Sequence, residues 1–553
     1  MADPIRLGTR ASVLARTQTA TVGDALSAIS GRPWVEVLVR TPGDDTTTPL
    51  DRPGAPGQFV STLREALLAG DVDVIVHSFK DLPSAPAPGI VLGAVPERAD
   101  ARDVLVSRDG LRLSDLPPGA VVGTSSPRRS AAVLALRPDL VIRPIRGNVD
   151  TRISKVRDGD YDATVLAAAG LQRIGRLDEI TEYLDSMLPA PAQGALAVEC
   201  RAGDREMLAL LASVDDAQAR LVTAAERQVL VGISAACTTA VAAHATHHDG
   251  RLALRADLAI DGDTTTARID VSCPPGDIHT ARTAGMRAAV QLVRSAGRPL
   301  ALLVRSGGND DDIAALATLG VAAICEPYVL SAPVPGDAMA LVNSLREALA
   351  DDDPARTWIV VTSAMAMPSW LAEAGDDLPE LLRSAARAGV RAAAVGERSA
   401  QTLADVGFEN VLVPRRASAG DLVMAMSDLP AGRVIFPHGN LALGALPEGL
   451  ARSGWRVDAG VVYETSNVGE RPASAELIED GTVDIIVVRA PSAARAVARH
   501  ARVPDDVILV CTGTTTAQAA RESGLSVTAV STSASAPDVA AAVTAALVSR
   551  HRG

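Results

Sequence analysis

Short apolar runs alternate with amphipathic stretches along most of the chain, the pattern of strands and helices taken in turn. The run Val72-Asp-Val-Ile-Val76 is rich in β-branched residues and reads as a strand buried on both faces. It breaks at His77-Ser-Phe-Lys80-Asp81-Leu-Pro83, where proline forbids a regular continuation. In open α/β sheets the carboxyl end of such a strand opens into the ligand crevice. An acid beside an amine there can hold a charged substrate and move its protons. Taken alone, Lys80 and Asp81 read more plainly as a solvated ion pair at a polar strand end. Upstream, Ile5–Arg10 predicts a strand, Ser12 onward a helix, Trp34–Val39 a second strand and Phe59–Ala69 a helix. Residues 41–58 are crowded with Gly, Pro, Asp and Thr, which predicts a long loop, either a lid or a disordered excursion.

The next segment repeats one theme. Ala120-Val-Val-Gly-Thr-Ser-Ser126-Pro-Arg128-Arg129 reads as a strand, a glycine turn, a serine N-cap and a proline at the first helical position. A helix start with two arginines is a seat for a carboxylate or phosphate, or else a capped surface helix with solvated arginines. Val141–Pro144 runs into Arg146-Gly-Asn-Val-Asp-Thr-Arg152, and Tyr161–Ala169 runs into Gly170-Leu-Gln-Arg173. Three successive strand ends deliver arginine, which predicts a site for several carboxylates. Pro189–Arg201 reads as a crossover back to the first segment. Residues 216–231, with Glu226 and Arg227, read as a helix leading to the loop of Cys237 and a small α+β unit.

Past Gly297-Arg-Pro299 the sequence repeats itself. Gly396-Glu-Arg-Ser-Ala-Gln401 parallels Gly513-Thr-Thr-Thr516-Ala-Gln518, and Thr362-Ser363-Ala364 parallels Ala490-Pro-Ser492. Each piece follows an apolar strand and opens a helix. Two copies of one α/β unit predict two similar lobes, with hydroxyls and N–H groups at the turns suited to anionic side groups.

Composition narrows the function classes. The 553 residues suffice for about three to five domains. A net charge of −13 and 2% aromatics argue against nucleic acid as a partner, so the arginine clusters serve a smaller anion. Of the 53 basic side chains only Lys80 and Lys155 are lysine, a hint that position 80 wants a compact ammonium. No secretory signal and no membrane-spanning run is visible. The five cysteines have no metal-ligand spacing, so no metal is expected, and the chain reads as cytoplasmic with reduced thiols. Cys200, Cys273 and Cys325 sit in strand-like apolar contexts and read as core, whereas Cys237 sits in a loop, where a thiol can act as a nucleophile.

Residues 4–295 resemble the porphobilinogen deaminase (hydroxymethylbilane synthase) family. The matching pieces are Leu7-Gly-Thr-Arg10-Ala-Ser12, His77–Pro83, Gly123–Arg129, Arg146–Arg152, Ala169–Arg173, Gln193-Gly-Ala and the loop of Cys237. Residues 299–549 are similar, more loosely, to uroporphyrinogen-III synthase, through Val304-Arg305, Thr362-Ser363, Val395-Gly396, Phe436–Asn440, Val462-Tyr463 and Gly513–Ala517. The resemblance implies an α/β protein. Its N-terminal half would hold two periplasmic-binding-like domains (4–97 with 196–215, and 98–195) and a small α+β domain (216–296). Its C-terminal half would hold two lobes, 299–330 with 467–549, and 334–463.

It also implies a dipyrromethane cofactor on Cys237, held by Ser12, Lys80, Asp81, Ser126, Arg128 and Arg129. Asp81 and Lys80 would be catalytic, with Arg10, Phe59, Arg146, Arg152 and Arg173 on the substrate chain. In the second half Tyr463 would assist hydroxyl loss while Ser363, Ser492, Thr515 and Thr516 seat carboxylates. The expected substrates are porphobilinogen and hydroxymethylbilane, the expected product uroporphyrinogen III with one ring inverted, and the expected state a monomer without nucleic-acid or membrane partners. Tethering the halves raises the effective concentration of the second site for the first product. Five residues depart from the family pattern: Ala235-Ala236 stand where two glycines usually precede the cysteine, Arg52 and Pro56 where lysines usually stand in the lid, and Ala490 where a serine is common. Two other functions fit the same residues: a deaminase with a regulatory C-terminal half, or a two-lobed carboxylate sensor without catalysis.

Overall fold

The computed structural model describes residues 3–39, 58–234, 239–375, 377–415, 418–442 and 444–550. The expected lid, save residue 58, and Cys237 lie outside these residues, and the Phe59 side chain is likewise outside what is described. The chain divides into two compact units, residues 1–303 with 307–326 and 473–484, and residues 304–306 with 327–472 and 485–553.

The first unit contains three sheets. In the first the strand order is Trp34–Leu38, Ile5–Thr9, Val74–Ser78, Leu196–Arg201, Ile90–Ala94. The first three strands run parallel, and Leu196–Arg201 lies antiparallel between Val74–Ser78 and Ile90–Ala94. Val74–His77 are all buried, which agrees with the continuous apolar run of a strand covered on both faces. The second sheet has the order Val141–Arg143, Val121–Gly123, Ala163–Ala167, Asp103–Ser107, Glu182–Tyr183. Two chain segments, near residues 95–102 and 185–195, connect these sheets.

The third sheet is an antiparallel meander, Ala240–His248, Arg251–Ile260 and Asp263–Ser272. Helices Ala217–Gly232 and Ile278–Val293 cover it with a core of small residues such as Ala225, Ala281, Ala284 and Ala288. Gly285 lets the two helices touch, since a Cβ there would lie 2.2 Å from the Ala225 carbonyl oxygen. This unit also holds the parallel pair Leu300–Leu303 and Ala322–Cys325 and the helix Ser474–Glu479.

The second unit is built on a six-stranded sheet ordered Val329–Pro333, Arg456–Asn467, Arg433–Gly439, Thr357–Val361, Arg391–Ala394, Val411–Leu412. It also holds the parallel strands Ile485–Val488, Ile508–Thr512 and Ala529–Ser531. Both copies of the sequence repeat are strand-to-helix turns: Arg391–Ala394 into Glu397–Ala404, and Ile508–Thr512 into Gly513–Glu522. Cys200, Cys273, Cys325 and Cys511 are buried and form no disulfide among the described residues.

Candidate active site

The strand Val74–Ser78 ends in a single 3-10 turn, Phe79–Asp81, before Pro83 stops the chain from continuing. The turn separates its two ionisable side chains. Asp81 is exposed, whereas Lys80 turns inward and donates to Gln193 Oε1 at 3.2 Å, its one hydrogen bond among the described residues. No Lys80–Asp81 hydrogen bond forms, so the solvated ion pair is not what the fold makes of these residues. Burial pushes the Lys80 ammonium down to about 8, and Arg129 pushes the same way against the pull of Asp81 and Asp103.

Gln193 links the turn to the second sheet, for its Nε2 donates to the Ala101 carbonyl at 2.8 Å and to Asp103 Oδ1 at 3.0 Å. Asp103, fully buried at the start of its strand, takes Arg128 Nη1 at 2.6 Å and Arg129 Nε and Nη2 at 3.0 and 2.8 Å. Against the upward push of burial, Arg129 and then Arg128 hold this carboxyl far below the usual carboxylate range. The sequence places both arginines correctly at the first turn of helix Pro127–Leu136, with Ser126 as N-cap accepting from the Arg129 N–H at 3.4 Å. Their guanidinium groups nevertheless point inward to the protein's own carboxylate rather than outward. A buried guanidinium needs a fixed partner, and two of them on one aspartate leave a net positive charge for a ligand.

Arg152 extends this field. Burial and Arg129 lower its pKa while Asp81 opposes them, which places it within electrostatic reach of both groups, and its Nε donates to the Gly147 carbonyl at 2.9 Å. Arg173 donates to the Gly194 carbonyl at 2.6 Å and is pushed down to about 10 by burial. Ser12 caps the helix Val13–Ser30, accepting from the Ala15 N–H at 3.3 Å. Arg10 is half-buried just before that cap, and Arg146 is exposed in the loop before helix Val149–Arg157. Among the described residues, Lys80, Arg128, Arg129, Arg152 and Arg173 thus stand against Asp81 and Asp103 at this crevice, a donor set matched to an anion with several carboxylates.

Sequence reasoning missed the residues that hold these in place. Asp103 has one legible signal, a lone acid opening the apolar run Val104-Leu-Val106. Glu199, buried in the strand beside Val74–Ser78, takes Arg64 bidentately at 3.0 and 2.6 Å, with His77 Nε2 3.2 Å away. Arg227 donates to the carbonyls of Phe79, Leu82 and Pro83 at 3.1, 3.0 and 2.7 Å, fixing the 3-10 turn from behind.

The second unit presents a different chemistry. Tyr463 lies in strand Arg456–Asn467, beside Gly439 in register, and a Cβ on that glycine would come within 2.4 Å of its ring. Burial pushes the phenol pKa up, with a hydrogen bond from Ser363 opposing. Ser363 follows strand Thr357–Val361, and its hydroxyl accepts from the Met365 N–H at 3.2 Å. Asn440 accepts from the Thr465 N–H at 2.8 Å and so pins the strand just past Tyr463. Ser492, Thr515 and Thr516 stand in the first turns of two packed helices, Pro491–His500 and Gly513–Glu522, at the ends of adjacent parallel strands. Thr515 is exposed, while Thr516 is buried and offers little surface to a ligand.

Comparison with known proteins matches two separate stretches of the chain. The family model described as "Porphobilinogen deaminase, dipyromethane cofactor binding domain" matches residues 5–209, and "Uroporphyrinogen-III synthase HemD" matches residues 310–541. The porphobilinogen deaminase of Mycobacterium tuberculosis (strain ATCC 25618 / H37Rv) is 48% identical over 313 residues, covering 54% of this chain and 99% of its own length. That of Thermobifida fusca (strain YX) is 47% identical over 315 residues, covering 56% and 96%. A solved uroporphyrinogen III synthase from the extremely thermophilic bacterium Thermus thermophilus covers 45% of this chain and 99% of its own, at 18% identity and a TM-score of 0.33.

Proposed function

This chain belongs to the porphobilinogen deaminase family and carries a uroporphyrinogen-III synthase domain behind it, and from that premise we propose that it makes hydroxymethylbilane from four porphobilinogens and closes it to uroporphyrinogen III. The observation that carries the first step is the inward Lys80 beside the outward Asp81, set in a field of guanidinium groups. Each condensation breaks the C–N bond of an aminomethyl group, releasing ammonia, and forms a C–C bond to the free α-carbon of the growing chain, from which a proton must leave. Asp81 stands where a carboxylate can hold a pyrrole N–H, offset the developing cation and carry that proton away. Arg152, Arg173, Arg10 and Arg146 take the acetate and propionate groups of the chain.

The residues present suit a dipyrromethane, whose carboxylates match the net positive charge left by Arg128 and Arg129 on Asp103. Lys80, Asp81, Ser12, Ser126, Arg128 and Arg129 would hold it, with Cys237 as its thioether anchor. When bound it supplies the first free α-carbon. For the second step Tyr463 assists departure of the hydroxyl group, and Ser363, Ser492 and Thr515 seat carboxylates.

Mass spectrometry of the intact protein tests the first assignment: an adduct of two pyrrole units in the native chain that is missing from Cys237→Ala is expected. An unmodified native chain would favour a carboxylate sensor instead. Separation of the products made from porphobilinogen tests the second assignment. A type III product is expected, and type I alone would leave the C-terminal half regulatory.

A further inference from the structure

Helix Ala217–Gly232 carries three consecutive polar residues, each bonded to a different part of the first unit. Glu226, fully buried, takes Arg98 at 2.7 and 2.9 Å and the N–H groups of Ala192 and Ala245 at 2.6 and 2.8 Å. Arg227 holds the carbonyls of the turn that bears Lys80 and Asp81. Gln228 donates to Glu326 Oε1 at 2.8 Å.

Glu326 is the unexpected member. It lies within the stretch that matches the synthase model, yet it belongs to the same compact unit as the deaminase residues and is only 1% exposed. Its Oε1 also accepts from the Ala473 N–H at 3.1 Å, and its Oε2 from the Ser474 N–H at 2.7 Å. Its paired cation is Arg282, 3.4 Å away on helix Ile278–Val293, whose Nε donates to Gln228 Oε1 at 3.2 Å. A carboxylate sunk to this depth is tolerated only with its charge compensated and its lone pairs taken, and here the compensation comes from the deaminase helices. Ion pairs at the rim, Arg287 with Glu476 and Asp480 and Arg294 with Asp484, surround this buried contact.

The two deaminase helices touch through glycine. A Cβ at Gly285 would lie 2.2 Å from the Ala225 carbonyl oxygen, and one at Gly232 2.5 Å from the Ala289 Cβ. They therefore move as one body, and whatever pins one pins the guanidinium of Arg227. We propose that Glu326, through Gln228, holds helix Ala217–Gly232 in the register Arg227 needs to fix the Phe79–Asp81 turn. The synthase-like stretch then positions the deaminase site, and Gln228 and Glu326 are positioning residues for its reaction. The kinetic side of this claim rests on the deaminase reading above; the contact itself does not.

The test uses the full chain carrying its cofactor, with Gln228→Ala, Glu326→Gln and the double variant. Each single change is expected to lower kcat for porphobilinogen consumption about fivefold with KM little changed. Amide exchange at Leu82, whose N–H bonds the Phe79 carbonyl, is expected to quicken. The double variant is expected to lose no more than the worse single one, because both act through one contact. Arg287→Ala, cut from the rim, is expected to keep full turnover. Unchanged kcat and unchanged Leu82 exchange in the single variants would overturn the proposal, as would additive losses in the double variant or an equal loss in Arg287→Ala. A native chain without turnover would instead defeat the deaminase reading, and the exchange at Leu82 would still decide the coupling. If Glu326→Gln does not fold, Gln228→Ala alone decides the matter through the same two measurements.

Discussion

Lys80 illustrates how one side chain changes meaning on folding. In sequence it is a lysine next to an aspartate; in the fold it is an inward ammonium held by a neutral amide, with its pKa pushed by burial to about 8. A group lowered from the free lysine value binds its proton less well folded than unfolded, so its stability contribution improves as pH rises through about 8 toward 10.5. Ligand binding runs the other way, since the charge that attracts a carboxylate is lost above about 8. Affinity for porphobilinogen, measured by titration at a series of pH values, is therefore expected to fall through this range, and Lys80→Arg to hold its affinity to higher pH. Asp103 is the second residue whose role lies in its surroundings. Asp103→Asn leaves two buried guanidinium groups without their carboxylate and is expected to destabilise the first unit by about 3–5 kcal/mol, read from urea unfolding. Neither consequence was legible in the sequence, because burial of Lys80 and pairing of Asp103 depend on groups far away along the chain, Gln193 and Arg128–Arg129.

At the level of elements the sequence was far more explicit. Unbroken β-branched runs, a serine cap and a proline at the first helical position predicted the strand-to-helix turns at Val121–Pro127 and elsewhere, and those turns are in the structure. Local signals sufficed there because caps and turns are satisfied by neighbouring residues. What element patterns did not carry is the direction of side chains at the turn. The arginines of helix Pro127–Leu136 were read as a seat for a carboxylate, and the local pattern gave no sign that both also bind Asp103. The same limit holds at Gly439, whose lack of a side chain makes room for the Tyr463 ring. Gly439→Ala is expected to displace that ring and to lower the rate of cyclisation about tenfold or more, with porphobilinogen consumption unaffected. Timed assays of both activities on the one variant check this.

On the scale of the whole molecule, two chemistries share one chain. If Tyr463 acts in ring closure alone, Tyr463→Phe is expected to leave the rate of ammonia release unchanged while the product shifts from type III toward type I. Chromatography of the isomers from a single incubation reads both effects. The boundary between the compact units does not follow the boundary between the two family matches, since residues 310–326 and 473–484 lie with the deaminase part. Glu326 supplies a physical reason: its charge is compensated by Arg282, so its own segment stays where that arginine is.

The sequence by itself determined which elements form and which residue types line the strand ends, because hydrophobic period, caps and turn chemistry act over a few residues. Motif order was enough to suggest both activities. Only the tertiary structure decided which partners inside the protein hold those charged groups. That choice depends on partners 25 to 113 residues away, as in Arg128 with Asp103 and Lys80 with Gln193, where no local pattern records who will be buried beside whom.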